Sequence, residues 1–297
     1  MSDRRALIIR VWVVAALLEV ISIAPAAADI LSLYTVSDIA VDERASDELA
    51  AKTRGIEKAQ QAALQQLLEK ITLLDDFDRL PDIDAAVVQR TIRDYAIREE
   101  KFGGGRYVAN LSVRFKRRAV RELLRARKVP IAETVSRSVL VLPVYRVAGS
   151  ILLWDEPNPW FNAWANRPSP TGLLPLIVPI GDYSDIAVIS ANQALNGIEE
   201  HLAAIAKKYD TIGTLVTVAE LVVDPRSGSP TIEISMSRFG KADAGRTFVR
   251  SFSGSAEQGV DKLLADAVEA LIIRAEEDWK RDNLQRAAGQ QHLSIVV

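Results

Sequence analysis

Residues 103–127 read GGGRYVANLSVRFKRRAVRELLRAR, and the hydrophobic period changes in the middle. Leu111, Val113 and Phe115 alternate with Ser112 and Arg114, the period of two that puts alternate side chains on opposite faces of a strand. From Lys116 to about Arg127 the spacing becomes helical, and Pro130 prevents further helix. Upstream, Gly103-Gly104-Gly105 joins a strand over Arg106–Phe115 to another over Tyr95–Phe102. Glycines that cradle a phosphate are followed by a helix whose N–H groups face the anion. A strand follows here, so the three glycines read as a hairpin turn.

Working outward, residues 31–41 are β-prone, with Leu33, Tyr34, Val36, Ile39 and Val41. A long helix runs from an N-cap at Ser46 to Ile71. Leu49, Ile56, Ala63, Leu64, Leu67 and Ile71 share one face, with Ala59 and Leu68 at its edges and Gln60 as its polar exception. An acidic loop, residues 75–84, leads to a shorter helix over 83–95. Its five aspartates lack the central glycine and final glutamate of a calcium loop, so it reads as solvated. Together these form a β-α-α-β-β-α unit over residues 29–133.

A second unit spans residues 134–282. It opens on Ser138-Val139-Leu140-Val141-Leu142-Pro143, an apolar run suited to a strand covered on both faces, with Pro143 placing one end near an edge or bulge. A tryptophan-rich stretch follows over 150–175. Residues 174–190 are β-prone but broken at Gly181-Asp182-Tyr183. A helix over 191–209 then buries Leu195, Ile198, Leu202 and Ile205. Three strands (211–223, 231–238 and 246–253) and a helix over 257–280 complete the unit, and 283–297 reads as a flexible tail. The fold class is α+β: two small mixed domains whose antiparallel-rich sheets are packed by helices.

Of the 297 residues, 48% are hydrophobic and 26% charged, and the formal net charge is -2. No global field favours nucleic acid. Without cysteine there is no disulfide, thiol nucleophile or thiolate metal site. The two histidines, His201 and His292, exclude a three-histidine metal centre within one chain. At the start, Arg4, Arg5 and Arg10 precede the apolar run Val11–Ile23, then Pro25 and Ala26-Ala27-Ala28. This is the pattern of a secretory leader over residues 1–28, cut before Asp29. Glu19 and Pro25 leave the run short for a membrane span. No later segment is long and apolar enough, so the mature chain is expected to carry no transmembrane segment and, once exported, to lie in a bacterial periplasm.

Two clusters are candidate contact surfaces. Arg114, Arg117, Arg118, Arg121 and Arg125 share a broad basic face that also involves Lys116, Arg127 and Lys128. It suits an anionic partner: an acidic protein surface, phospholipid headgroups or lipopolysaccharide phosphates. The bland alternative is a solvated face partly paired with the acidic loop 75–84. Trp154, Trp160 and Trp164 lie in one stretch, where Asn158-Pro159 reads as an N-cap and first-turn proline. They suit an aromatic platform for a glycan, peptide or partner protein, or an aromatic plug packed into the domain's own core. His201 reads as packed or solvated rather than as a base. No serine elbow or singled-out pair of acids indicates catalysis, and no metal or cofactor is implied.

Leu33-Tyr34-Thr35-Val36-Ser37, Val41-Asp42, the alanine-rich helix with Ala59, Ala62, Ala63, Leu64, Leu67 and Leu68, the hairpin residues Tyr107-Val108, Leu111-Ser112-Val113 and Phe115, and Leu123-Leu124 together resemble the DUF twenty-sixty-six family of exported Gram-negative proteins. Lys70 stands where that family carries arginine. The second unit, from Tyr209-Asp210-Thr211-Ile212-Gly213 onward, is similar in layout to the amino-terminal domain of the Tol-system propeller protein. Neither resemblance brings a catalytic residue. The expectation is an uncharacterised periplasmic protein: a non-enzymatic binding or assembly factor whose partner is an envelope protein or an anionic envelope surface. The alternatives are a small-molecule or glycan binder using an aromatic cleft between the domains, and a hydrolase of unknown type.

Overall fold

The computed structural model describes residues 32–168, 172–240, 247–254 and 259–293, with side chains placed as far as 287. The expected leader, residues 1–28, lies outside the described residues. Among these, no helix is long and apolar enough to cross a membrane. The architecture is α+β with antiparallel-rich sheets.

The first sheet is antiparallel with order β1-β3-β2, formed by β1 (Thr35–Arg44), β2 (Ile92–Gly103) and β3 (Arg106–Phe115). As the alternation in β3 requires, Tyr107, Ala109, Leu111, Val113 and Phe115 all point into one core. Gly104 and Gly105 make the hairpin turn at positive φ. Both edge strands carry an irregularity in register, near Asp38 and near Glu99, and each of these residues is left-handed. Such kinks interrupt an edge that would otherwise template another strand.

Helix α1 (Glu48–Ile71) covers this sheet. Its N-cap is Asp47, one residue after the expected Ser46; the Asp47 carboxylate accepts from Ala50 N at 2.8 Å. Its buried stripe is Ala51, Gly55, Ala59, Ala63, Leu67 and Ile71, while Leu49 is 74% exposed. Ala63, Leu64, Leu67 and Ile71 are buried as expected, with Ala59 and Leu68 beside them; in the first half of the helix the buried side passes through Ala51 and Gly55 instead of Leu49 and Ile56. The reason is close approach: a Cβ on Gly55 would lie 2.7 Å from Val41 Cγ1. Small residues let the helix sit against the sheet.

A 3-10 turn, Leu74–Arg79, follows, then α2 (Ala85–Thr91), shorter than expected because β2 begins at Ile92. Helix α3 (Arg117–Ala126) closes the unit by burying Val120 and Leu124.

The second sheet runs β5-β4-β7-β8-β9, with β6 also on β4. Its strands are β4 (Val139–Val147), β5 (Ser150–Leu152), β6 (Leu176–Ile177), β7 (Gly213–Val223), β8 (Pro230–Gly240) and β9 (Thr247–Ser253). Strand β4 pairs in parallel with β6 and β7, and every other pairing described in this sheet is antiparallel. Residues Val139–Tyr145 are all buried, as a strand covered on both faces requires. Pro143 falls between the β6 partners of residues 139–140 and the β5 partners of 145–147, where its missing N–H removes no bond to either.

One face of this sheet is covered by α4 (Pro159–Ala165) and α8 (Val260–Leu293). The other is covered by α6 (Ala191–Leu195), α7 (Glu199–Lys208) and the chain leading to them. The single helix expected over 191–209 is two, because Gly197 sits at φ +66 and turns the chain between them. Of the β-prone stretch 174–190 only β6 pairs. A four-residue helix, α5 (Tyr183–Ile186), replaces the rest, with Asp182 as its cap.

Helix α8 does not stop near residue 280. It continues to Leu293, through most of the stretch expected to be a flexible tail; residues 294–297 lie outside the described residues. Tertiary contact explains the extension. Trp279 and Leu284 pack against the first unit's core, and Trp279 also touches the second core. The two units are thus joined by one helix. Leu173 belongs to the first core and Leu174 to the second, so the 172–174 strap joins them again.

Candidate functional site

The basic face forms around the start of α3. Arg114 ends β3 and pairs with Asp94 on β2. Burial of Val120 and Leu124 turns the rest of α3 outward. There Arg118 pairs with Glu122 at 2.8 Å. Arg117 and Arg121 converge on Glu133, at 2.7 and 3.7 Å. Arg125 has no carboxylate partner among the described residues. Nor, among these residues, does the face pair with the acidic loop: Asp76 pairs with Arg79 and Asp75 with Arg281.

At one end of the face lies a concavity of about 520 Å³ whose walls include Arg93, Arg114, Lys116, Arg117 and the Tyr34 side chain. Lys116, the N-cap of α3, brings no side-chain acceptor to the helix start, so the positive end of the helix dipole adds to the four cations. Tyr34 donates its hydroxyl to Glu133. Burial, then the neighbouring Glu133 carboxylate, push the Tyr34 phenol well above its ordinary range. Burial by itself would raise Glu133, but hydrogen bonds from Arg117 and Tyr34 and the charges of Arg117 and Arg121 outweigh it and hold the carboxyl below its usual 4.5.

A carboxyl depressed in the folded state contributes stability that is present above its unfolded pKa and lost as pH falls through the folded value. Acid titration of the parent should therefore show stability falling below about pH 4.5. In Glu133→Gln that part of the loss should disappear, as read by urea midpoints across the acid range. Parallel profiles for the two proteins would contradict the assignment.

The three tryptophans do not form a surface. Asn158 caps α4, accepting from Phe161 N at 2.9 Å, and Pro159 takes the first turn as expected. The helix then turns Trp160 and Trp164 inward, where both are fully buried, edge to face at 5.9 Å. Trp160 Nε1 donates to Thr217 O at 3.1 Å. Trp154 packs in the core on the opposite face of the sheet and donates to Ile189 O at 2.7 Å. A shared aromatic cleft is thus ruled out by the sheet between them; for Trp160 and Trp164 the alternative of an aromatic plug packed into the domain's own core is the one the structure bears out.

A cleft between the units does exist, with other walls. It measures about 1040 Å³ and runs along α8, facing the outer side of α4, the end of α1 and the 3-10 turn. At its edge a pair of α8 residues grips the end of α1. Lys280 Nζ donates to Glu69 O (3.0 Å), Thr72 O (2.7 Å) and Glu277 Oε1 (3.0 Å), while Leu74 N donates to Glu277 Oε2 (3.1 Å). Glu276 accepts from both Leu173 N and Leu174 N at 2.9 Å, which ties the strap to α8.

A third feature escaped the sequence reading. Ile180 and Tyr183 are 80% and 92% exposed, on a turn that is firmly held. Asp185, fully buried, accepts from Gly181 N (2.9 Å), the Tyr209 hydroxyl (2.6 Å) and Lys208. The Tyr209 oxygen in turn accepts from Ile180 N at 3.0 Å. Large apolar side chains on a rigid turn are the kind of anchor a partner's pocket covers. The break at Gly181-Asp182-Tyr183 was its only trace in the sequence.

His201 is placed structurally. Nδ1 lies 2.7 Å from Val188 O and Nε2 lies 2.9 Å from the Gln193 amide, so one neutral tautomer satisfies both. Among the described residues no serine is bonded to it, and no group of three histidine or acidic side chains could hold a metal ion.

No curated protein matches the chain. Several solved structures are similar over less than half of it. Lipoprotein GNA1162 from Neisseria meningitidis is 10% identical, with 47% of this chain and 96% of that one covered and a TM-score of 0.29. The LpoB C-terminal domain from Salmonella enterica is 15% identical, covering 41% and 85%, with a TM-score of 0.25. The PelC dodecamer from Paraburkholderia phytofirmans is 7% identical, covering 44% and 82%, with a TM-score of 0.24. The likeness to a domain of unknown function holds at that level, but neither the twenty-sixty-six family nor the Tol layout is supported. The residues behind those likenesses were core and packing positions, which unrelated α+β units share. The family model that matches, over residues 27–133, is described as a domain of unknown function (DUF8605).

Proposed function

We propose that this chain is an exported, non-enzymatic binding or assembly factor of the Gram-negative cell envelope, and that it meets an anionic partner through the face of Arg114, Arg117, Arg118, Arg121 and Arg125. The observation that carries the reading is that Arg114 and Arg117 gather with Arg93 and Lys116 around a concavity, with Arg118, Arg121 and Arg125 on the adjoining outward side of α3. Four of the five pair with Asp94, Glu122 or Glu133, and the shared Glu133 draws the guanidinium groups of Arg117 and Arg121 together. Guanidinium forks gathered in this way suit carboxylate or phosphate oxygens. The leader pattern of residues 1–28 supports export. The held Ile180–Tyr183 turn offers a second, apolar contact for a protein partner.

The test is in-cell cross-linking and capture of the mature protein beside an Arg118→Glu/Arg125→Glu variant. Both side chains are exposed and contribute nothing to the core, so the melting temperature should stay within about 2 °C. Envelope components captured by the parent should be lost from the variant, and capture by the parent should weaken with salt. An identical captured set from the folded variant would sink the reading. So would a substrate turnover that depends on one of the protein's polar side chains.

A further inference from the structure

The cleft along α8 is a candidate ligand site independent of the basic face. Most of its carboxylates are already engaged. Glu276 holds two backbone N–H groups, Glu277 holds Lys280, Asp266 pairs with Lys262 at 2.9 Å, and Glu69 takes the Gln65 amide. Two cations on the walls have no carboxylate within ion-pair distance among the described residues: Lys70 and Arg167. Both are half-buried.

Burial lowers the pKa of Lys70, and Glu276 opposes this only from beyond contact. Burial also lowers that of Arg167, whose Nη atoms donate to Trp164 O and Leu176 O at 2.5 and 2.6 Å and whose Nε is buried with no acceptor. Both cations border the 172–176 strap: Glu276, which acts on Lys70, holds Leu173 and Leu174, and Arg167 holds Leu176. Partly desolvated cations without counter-charges are costly, and a bound anion would offset that cost.

Much of the remaining wall is apolar, with Gln66, Asn162 and Asn166 among its polar members. Leu74 and Phe77 face Ala265, Val268, Ile272 and Ile273 across it. Leu74 and Ile273 are 45% and 44% exposed, large side chains left in contact with water. From Glu276 back to Ala265 the helix rises about 16 Å at 1.5 Å per residue, a length suited to a medium acyl chain. Asp261, a turn beyond Ala265, would repel an anionic head at that end, while Glu269 stands beside the middle of the run.

We infer that this cleft binds a single-chain amphiphile with an anionic head, the head between Lys70 and Arg167 and the tail along Ala265, Val268 and Ile272. The head chemistry is a carboxylate or a phosphate, from a free fatty acid or a lysophospholipid.

Calorimetric titration of the mature protein, below the micelle concentration of each probe, tests this. The probes are dodecanoate, lauroyl lysophosphatidylglycerol and dodecyltrimethylammonium. Dodecanoate or the lysophospholipid should bind, and whichever binds more tightly identifies the source. The ammonium should bind at least about tenfold more weakly, and Lys70→Gln and Arg167→Gln should each cost about tenfold, the loss of one hydrogen bond to a charged group. Ile273→Asp, at a position open to solvent, should abolish binding while leaving the circular dichroism unchanged. Lys70→Gln keeps the test open if Arg167→Gln fails to fold. The inference is overturned if neither anion binds the folded parent, if the ammonium binds as tightly, or if Lys70→Gln leaves the affinity unchanged. None of these outcomes touches the reading of the basic face, which the capture experiment tests separately.

Discussion

Lys280→Met is expected to destabilise the protein by about 3–5 kcal/mol, because it leaves the buried Glu277 carboxylate with only the Leu74 N–H and the Arg281 guanidinium at 4.0 Å. Glu277 and Lys280 are nearly inaccessible, with side chains only 5% and 7% exposed. The ammonium is also the cap of α1: it holds the Glu69 and Thr72 carbonyls, at the end where a helix presents free acceptors and the negative pole of its dipole. Methionine fills similar space but donates nothing. The double variant Glu277→Gln/Lys280→Met removes the stranded charge and keeps an acceptor for Leu74 N. It should recover more than half of the loss. Urea unfolding of the parent, both single variants and the double variant gives the coupling directly. A loss under about 1 kcal/mol in Lys280→Met would mean that the pair is solvated and that the two units are not clamped at this point.

Trp160→Ala should cost a similar amount, about 3–5 kcal/mol, the range for removing a large aromatic side chain from a packed core. Three contributions are lost together: the buried ring, its edge-to-face contact with Trp164, and the hydrogen bond to Thr217 O. Trp160→Phe keeps a ring and should cost clearly less. Thermal melts of the two variants would order them. A mild effect of Trp160→Ala, below about 1 kcal/mol, would indicate that the ring sits at a surface after all, because surface substitutions rarely cost more. The aromatic platform would then return as a binding site.

Helix α8 gives these stability predictions a functional side. Its C-terminal half clamps α1 through Lys280 and packs Trp279 between the two cores. Its middle lines the cleft through Val268, Ile272 and Ile273. Loosening the clamp would open the cleft, so Lys280→Met should weaken amphiphile binding as well as stability.

Much of this fold is written locally. The period of two in residues 106–115 determined β3 and its buried face. Three glycines determined the turn before it, and seven consecutive apolar or small residues from Val139 determined a strand covered on both sides. Asn158-Pro159 determined the start of α4. These features depend on residues a few positions apart, so the local sequence contains their cause. The four arginines of α3 were legible for the same reason, since a helix whose core side is known must show its charges to solvent, and Arg114 followed from the strand alternation that turns it away from Val113 and Phe115.

What only the tertiary structure decided involves distant partners. Lys280 meets the Glu69 carbonyl across 211 residues of chain. The inward direction of Trp160 follows from the β7 carbonyl it reaches, and the length of α8 from a first unit against which it can pack. In the first half of α1 the buried side passes through Ala51 and Gly55 rather than Leu49 because close approach to a sheet rewards small side chains, which a scale of residue hydrophobicity ranks low. Lys70 and Arg167 became neighbours of one cleft only when the strap and α8 brought the two units together. Periodicity records which side of an element is apolar; what that side meets is settled by packing between elements far apart in the chain.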